Sequence, residues 1–462
     1  MRQHPTVVTR FIKPLALIVL TLSIGSTTPS NGRFKTPAPM LNNQQSKRIT
    51  ARLRLTLPGG KKKMPVHLIA FSPDGRVVAN SRGGAEVKLW DSATGKLRAT
   101  LTGDKRGIDG FSFSPDGRIA VTRDVFDKKV RLWNVETGEL IRTLSGLKSR
   151  IDKLKAGQIT RDVFAPIAFS PDGQTILTER NDDTVDIWEV STGKLMATLE
   201  HDTQSSPVKD TLKAVLLPLG AVVPVLILQE IFSPDGQTIA TYNGDKAPKL
   251  WHAATGQLKA TLSGHSERVY GLGFSKDGKL VYTVSAGGEA KLWDANTGQL
   301  KWTFGGDADR LTGFALSPAT EVGVSIHSDK EPRLWDITTG KVMAIVPDRK
   351  ATAAIFSPDG QSLVTARINE RHPVRLWDAK TGELKATLAD ERDKVERIGF
   401  NPDGNILVTV LDKAVKLWNP HSGELMTTLE GARFPVIFSP NGKIMAARGE
   451  DNVTMLWELS EP

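Results

Sequence analysis

The sequence predicts an all-β fold built from one repeated unit, and three observations carry that prediction. Nine of the ten tryptophans, Trp90, Trp133, Trp188, Trp251, Trp293, Trp335, Trp377, Trp418 and Trp457, share one context, usually a basic residue, Leu, Trp and then an acidic or amide residue. Their spacings are 43, 55, 63, 42, 42, 42, 41 and 39 residues, and a period near 42 is that of a four-stranded propeller blade. The same two turns flank almost every one of these tryptophans, and between them apolar residues recur at a period of two, the pattern of half-buried strands. The chain is therefore expected to form a single β-propeller of about nine four-stranded blades. By length alone, 462 residues would suggest roughly three domains.

The first turn is Phe-Ser-Pro-Asp-Gly, at residues 71–75, 113–117, 169–173, 232–236 and 356–360, with variants at 274–278, 400–404 and 438–442. Proline sets φ at the second turn position, Asp caps the turn with its carboxylate, and Gly accepts the positive φ that follows, so two antiparallel strands meet there. A ninth copy, Leu316-Ser317-Pro318-Ala319, lacks the Asp-Gly pair and is expected to be the loosest. The second turn follows the Trp, as in Asp91-Ser92-Ala93-Thr94-Gly95, and leads into Leu97, Ala99 and Leu101, an outer strand with one apolar face. It recurs in eight copies and is missing after Trp457. Residues 51–57 match residues 95–101 position for position, yet no blade precedes them. They are expected to be the fourth strand of the last blade, closing the ring and removing the exposed edges of a linear array.

Composition narrows the function. The chain is 39% apolar and 24% charged, ordinary globular values, and its net charge of +10 is too dilute for a polycation. The absence of cysteine excludes disulfides, thiolate metal sites, a Cys nucleophile and cysteine-linked lipid. Residues 1–25 read as a signal peptide. Arg2, Arg10 and Lys13 precede an apolar run from Leu15 to Ile24, and Ser23-Ile24-Gly25 offers small residues for cleavage. The run is too short to span a bilayer core of about 30 Å, so export to the periplasm or beyond is expected, with no membrane span after cleavage. Residues 26–49 read as a disordered linker and 50–462 as the propeller.

From about residue 50 onward the chain resembles the WD-repeat (WD40) β-propeller family, in an exported bacterial-type form. That family places an Asp before the Trp strand, and Asp127, Asp182, Asp245, Asp329, Asp412 and Asp451 stand six residues ahead of their Trp. It also carries a Gly-His before the first strand of a blade, which only Gly264-His265 retains, in a blade with Gly287 where the Asp belongs. No blade is therefore expected to hold the family's full His–Asp–Trp hydrogen-bond network. The resemblance implies a monomeric, non-catalytic scaffold for protein–protein contacts.

The search for chemistry supports a non-enzyme. The eight histidines are scattered singly, no nucleophile elbow or phosphate-binding loop occurs, and acidic residues cluster only in turns that they cap. No cofactor is expected. Residues 294–302 resemble the tryptophan-docking motif of quinoprotein propellers, the rival enzyme reading, but only Trp302 supplies the second tryptophan, and packing on the outer strand explains it.

The departures from the period locate a candidate face. About 13 extra residues lie between Trp133 and Trp188 and about 21 between Trp188 and Trp251, and insertions in repeat folds map to loops that often form a binding face. In the resembled family these outer-to-inner loops share one face with the loops carrying the Asp. The first insertion holds Lys148, Arg150, Lys153 and Lys155, and the equivalent loops of the two preceding blades hold Lys61, Lys62, Lys63, Lys105 and Arg106, with Lys128 and Lys129 in an adjacent turn. This charge would steer an acidic protein or, alternatively, an anionic envelope polymer; an ordinary solvated surface is the plain alternative, and a small molecule bound in the central channel is a further one. Nucleic acid is not expected, since no aromatics interleave the lysines. The second insertion predicts one short helix from Ser206, with Leu212, Val215 and Leu216 on its apolar side, and then an inner strand over 222–231.

Overall fold

The computed structural model describes residues 50–58, 66, 68–81, 85–103, 107–124, 129–144, 167–179, 184–200, 232–242, 247–305, 311–388, 393–450 and 453–460. Among these residues there is no helix, and the strands form nine antiparallel sheets arranged as the blades of a propeller. The first blade orders Leu68–Phe71, Val77–Ser81, Glu86–Asp91 and Leu97–Thr102 from inside outwards. Eight sheets have four strands; the fourth blade shows Thr238–Thr241, Lys249–His252 and Leu258–Thr261, with a further bridge from Phe232 to Ile239. The helix expected from Ser206 and the inner strand expected over 222–231 lie outside the described residues.

Ring closure follows the sequence expectation. Thr50–Leu57 pairs antiparallel with Thr454–Ser460, from Thr50 opposite Ser460 to Leu57 opposite Thr454, with a bulge between Leu53 and Leu55. This N-terminal strand is the outermost of a sheet whose other members are Thr454–Ser460, Ile444–Arg448 and Arg433–Phe438.

The core is divided among the blade interfaces. Nine apolar clusters occur, each drawn from two neighbouring blades, and in each the tryptophan of the later blade packs onto aliphatic residues of the earlier one. Trp133 thus packs with Leu68, Val87 and Leu101. The ninth cluster joins the ends of the ring, with Leu57, Ile437, Ala446 and Leu456 of the last blade against Ile69, Val78 and Trp90 of the first. Burying a side chain of this size contributes about 2–3 kcal/mol, so the one Trp per repeat is what makes 42 residues a stacking unit.

Both turns show why their residues recur. At 71–75 the Ser72 hydroxyl donates to Asp74 Oδ1 at 2.6 Å and accepts from the Val77 amide at 2.9 Å, while the Gly75 amide, at φ 72°, donates to the Ser72 carbonyl at 2.8 Å. The copy at Ser317 is built differently. There the Ser317 hydroxyl accepts from the Thr320 amide at 3.2 Å and the Thr320 hydroxyl at 2.8 Å, replacing the glycine's backbone bond. In the second turn Asp91 Oδ1 accepts from the amides of Ala93 and Thr94 at 3.1 and 2.8 Å. The Arg98 guanidinium, donating to its other oxygen at 2.5 Å, holds that carboxyl well below the usual carboxylate range.

Candidate functional site

Every blade turns the same edge towards the connections that lead from its outer strand to the next inner strand. Residues 145–166 and 201–231, the two long interruptions of the repeat, fall between Leu144 and Ile167 and between Leu199 and Phe232. Both run in chain order from an outer strand to the next inner strand, and the described strand ends that lead into them, Leu144 opposite Val130 and Leu199 opposite Val185, lie at the same edge of their blades. Of the residues expected to form a binding surface there, Lys129 is described: it is exposed, and its carbonyl accepts from the Asp124 amide at 3.0 Å. Lys61, Lys62, Lys63, Lys105, Arg106, Lys128, Lys148, Arg150, Lys153, Lys155, Leu212, Val215 and Leu216 lie outside the described residues.

Beneath this face runs a layer of polar networks anchored on the tryptophans. The indole Nε1 of Trp133, Trp188, Trp251 and Trp418 donates to a Thr hydroxyl on the adjacent strand, that of Trp90 to Asn80, and that of Trp335 to Ser325. The blade of Trp293 extends its network furthest. Trp293 Nε1 donates to Thr283 Oγ1 at 2.8 Å; the Thr283 hydroxyl donates to His265 Nε2, 2.6 Å away; and His265 Nδ1 donates to Glu289 Oε1 at 2.8 Å. As the sequence leads one to expect, no Asp takes part in the network of this blade; Glu289 stands in for it. Glu289, two residues beyond Gly287, has the longer side chain needed to reach the histidine from the strand itself.

These groups are tuned by where they sit. Burial pushes the His265 imidazole below its ordinary range, against the pull of Glu289, so the ring is neutral at pH 7 and acts as acceptor on one side and donor on the other. Burial opposes ionisation of Glu289, but hydrogen bonds from Lys291 and His265 outweigh it and hold that carboxyl low. Lys291, two residues before its Trp and itself buried, lies 3.1 Å from Glu289 Oε2 and donates to Thr303 Oγ1 at 3.1 Å. The recurrent basic residue ahead of each Trp therefore has a structural task, also seen in Arg131 with Asp124 and Lys416 with Asp393.

The blade of Trp377 builds the same layer with the acid and the histidine exchanged. Asp348, before the inner strand, accepts from the Thr365 hydroxyl at 2.6 Å, and Thr365 accepts from Trp377 Nε1 at 2.8 Å. His372, in the loop ahead of the Trp strand, lies 3.1 Å from Asp348, which also accepts from Arg375 at 2.8 Å. Sequence reading missed Asp348 because it sought the acid only six residues before each Trp. Asp329, which stands there, accepts from Arg349 through its carbonyl.

The same edge carries an arginine group that the sequence analysis also passed over. Arg433, opening an inner strand, stands directly opposite Arg448 in the antiparallel register, and Arg397 of the neighbouring blade lies over the Phe434 ring at 5.6 Å. The signal was legible as a break in the repeat: the position of Arg433 holds buried Ile108, Val269, Leu311 and Val395 in other blades.

Trp302 is accounted for as packing. It sits on the outer strand Leu300–Gly305, partly exposed, and a methyl added to Gly340 of the next blade would lie 2.7 Å from its ring. Among the described residues no group of three His, Cys, Asp or Glu side chains is placed to hold a metal ion, and no helix is long and apolar enough to cross a membrane.

Comparison with known proteins agrees with this architecture. Residues 95–134, 256–294 and 382–419 match the model of the WD domain, G-beta repeat. COMPASS component SWD3 of Saccharomyces cerevisiae is 30% identical over 106 residues, which are 23% of this chain and 27% of that protein, so the likeness spans about a quarter of the relative. The C-terminal WD40 domain of Sif2 shares the fold at 16% identity, with 89% of this chain and 98% of that domain covered and a TM-score of 0.53. With a tryptophan at every blade interface and the ring completed by its N-terminal strand, the chain is a β-propeller, and three of its repeats match the WD domain, G-beta repeat.

Proposed function

We propose that this propeller is a non-catalytic scaffold that binds a protein partner through its loop face, and that it acts outside the cytosol after residues 1–25 direct its export. WD40 propellers are commonly protein-interaction platforms. What supports the reading is that both long interruptions of an otherwise regular repeat fall, in chain order, between the outer strand of one blade and the inner strand of the next, and that the sequence places lysines in the corresponding connections of neighbouring repeats. Charge of one sign gathered on a face speeds and orients association with an acidic surface.

The test is recovery of a partner from envelope extract by residues 26–462, beside a variant with Lys61, Lys62, Lys63, Lys148, Arg150, Lys153 and Lys155 all changed to Glu. A defined protein held by the wild type and released by the variant supports the face; equal recovery by both moves the interface elsewhere. The lysines also favour a second reading, an anionic envelope polymer as ligand. Its signature is binding to protein-free polymer that weakens steeply with salt. Export is checked separately by the mass of the chain recovered outside the cytosol, which should begin near Ser26.

A further inference from the structure

The outer strands of the nine blades follow one pattern, and the sixth, Lys341–Ile345, breaks it twice. At one register position a threonine stands in eight blades, as Thr303 opposite Lys291 and Thr387 opposite Arg375, but the sixth has Ile345 opposite Arg333. Ile345 is 59% exposed, more than any other large apolar side chain among the described residues. The second break is electrostatic. In the three other blades whose second turn opens with Asp, the residue seven further on is basic and meets that carboxylate: Arg98 with Asp91 at 2.5 Å, Lys301 with Asp294 at 3.5 Å and Lys385 with Asp378 at 3.3 Å. The sixth blade has Met343 there, 39% exposed. Asp336 is bonded by Thr338 and Thr339, which hold its carboxyl below the ordinary range, and it meets no lysine or arginine among the described residues. Val342 to Val346 are therefore all apolar, and no other outer strand carries five such residues in a row. Sheet edges are normally blunted by charged side chains; this one is not.

The surroundings extend the apolar edge. Val342 pairs with Trp335, which packs on Ala290, Leu292 and Phe304 of the fifth blade, so this side of the sheet looks towards that blade. Ile345, opposite Arg333, lies on the same side. Trp302 of the fifth blade pairs with Leu292 and so looks back towards the sixth, its ring against Gly340. Trp302, Val342 and Ile345 thus border one stretch of rim where the two blades meet, and each keeps a third or more of its surface exposed. The backbone is open as well. The Val346 amide donates to the Pro332 carbonyl at 2.9 Å, and successive residues of a strand turn their polar groups to opposite sides, so Ile345 directs its N–H and C=O away from the sheet.

We propose that the outer edge of the sixth blade receives one extended strand of a protein partner, apolar at alternate positions and carrying a basic residue at the end nearest Asp336. Main-chain hydrogen bonds to the open edge supply affinity, and contacts with Ile345 and Trp302 supply selectivity, the mode of recognition by strand addition. Charge fixes the direction of the strand: its basic residue takes the place beside Asp336 that Arg98, Lys301 and Lys385 fill in their own blades. Size fixes the kind of occupant. Two folded surfaces that form a standard interface use about 20–30 residues a side, whereas this edge offers one short strand and an indole, the footprint of a single peptide segment. The contact lies on the rim, apart from the loop face, and does not depend on the use proposed for that face.

The probe is a phage-displayed library of random dodecapeptides, panned on the full chain and counter-selected on a variant with Met343→Lys and Ile345→Thr. That variant gives the sixth blade what the other blades carry, so it should melt at or above the wild-type temperature; a fall of several degrees marks the two side chains as structural and overturns the proposal. Enriched peptides should alternate apolar residues and carry Lys or Arg near one end. One of them, synthesised with a fluorescein label and followed by anisotropy, should bind at least tenfold more weakly to the double variant and to Asp336→Asn. Asp336→Asn should leave unchanged the binding of the same peptide with its basic residue replaced by Gln. N-methylation of the peptide's amides should abolish binding at alternate positions. A library that yields no peptide dependent on residues 343 and 345, binding indifferent to N-methylation, or selection of acidic ends overturns the proposal. Light scattering tests the other occupant: a wild-type dimer that the double variant dissolves assigns the edge to a second copy of the chain and overturns it too. The variant with the loop lysines changed to Glu should bind the peptide as the wild type does, so failure of either reading leaves the other standing.

Discussion

The network of Trp293 offers a sharp test of what holds a blade together. Thr283→Val keeps the volume and the β-branched shape and removes only the hydroxyl. In the folded protein that hydroxyl satisfies Trp293 Nε1 at 2.8 Å and His265 Nε2 at 2.6 Å, and all three residues are buried. The valine leaves two polar groups without a partner in a place that water does not reach. Each costs about 1–3 kcal/mol, and the added methyl returns about 1 kcal/mol of burial. The expected loss is therefore about 1–5 kcal/mol, read as a fall in the urea midpoint of unfolding followed by tryptophan fluorescence, with the denaturant slope unchanged. In the double variant with His265→Phe the combined loss should be smaller than the sum of the single losses, because the two changes remove the same bond. A loss below about 0.5 kcal/mol, or strict additivity, would refute the claim that this network is a cooperative unit.

Other outcomes follow from the same structure. Deleting residues 50–57 removes the outer strand of the last blade and with it Leu57 from the cluster that joins the ends of the ring; the melting temperature should drop markedly, and an unchanged value sinks the closure role. Stability should fall on acidification in two stages. His265 is held below its ordinary 6.5, so the unfolded chain binds that proton first and stability declines as the pH drops beneath about 6.5; Glu289, held below 4.5, adds a second decline as the pH falls further. Urea midpoints at pH 7.5 and 5.5 should differ less in His265→Gln than in the wild type. Gly340→Ala should destabilise by more than 1 kcal/mol, on the order of a strained position, because φ there is +70° and the new methyl would press on the Trp302 ring; Trp302→Ala should relieve the contact part of that penalty, as a double-mutant cycle would show.

The blade plan was legible because it depends on local chemistry repeated many times. Ser72, Pro73, Asp74 and Gly75 are consecutive, and their turn is determined by contacts they make among themselves and with the next two amides, those of Arg76 and Val77. Nine copies of such a signal leave little room for another fold. The polar layer was read less well. His265 and Glu289 are 24 residues apart and Asp348 and His372 also 24, and a rule that sought the acid at one offset from the Trp found neither Glu289 nor Asp348. A longer side chain or an exchange of partners satisfies the same buried hydroxyl from a different position. The arginine group was overlooked because each member is unremarkable in its own stretch of chain; only alignment of the repeats against one another exposes Arg433 where Ile108, Val269, Leu311 and Val395 stand.

By itself, the sequence determined the repeat length, the two turns, the tryptophan that each blade presents, and the pairing of the N-terminal strand with the last blade. All are consequences of short-range backbone preference and alternating hydrophobicity, which a linear chain displays directly. The tertiary structure decided that nine interfaces close one ring, that Glu289 and Asp348 complete polar networks, and that Arg433 and Arg448 oppose each other beside Arg397. Those depend on which side chains meet across strands and blades, where burial converts an ordinary Glu, His or Arg into a group whose charge must be answered by a neighbour brought from far along the chain.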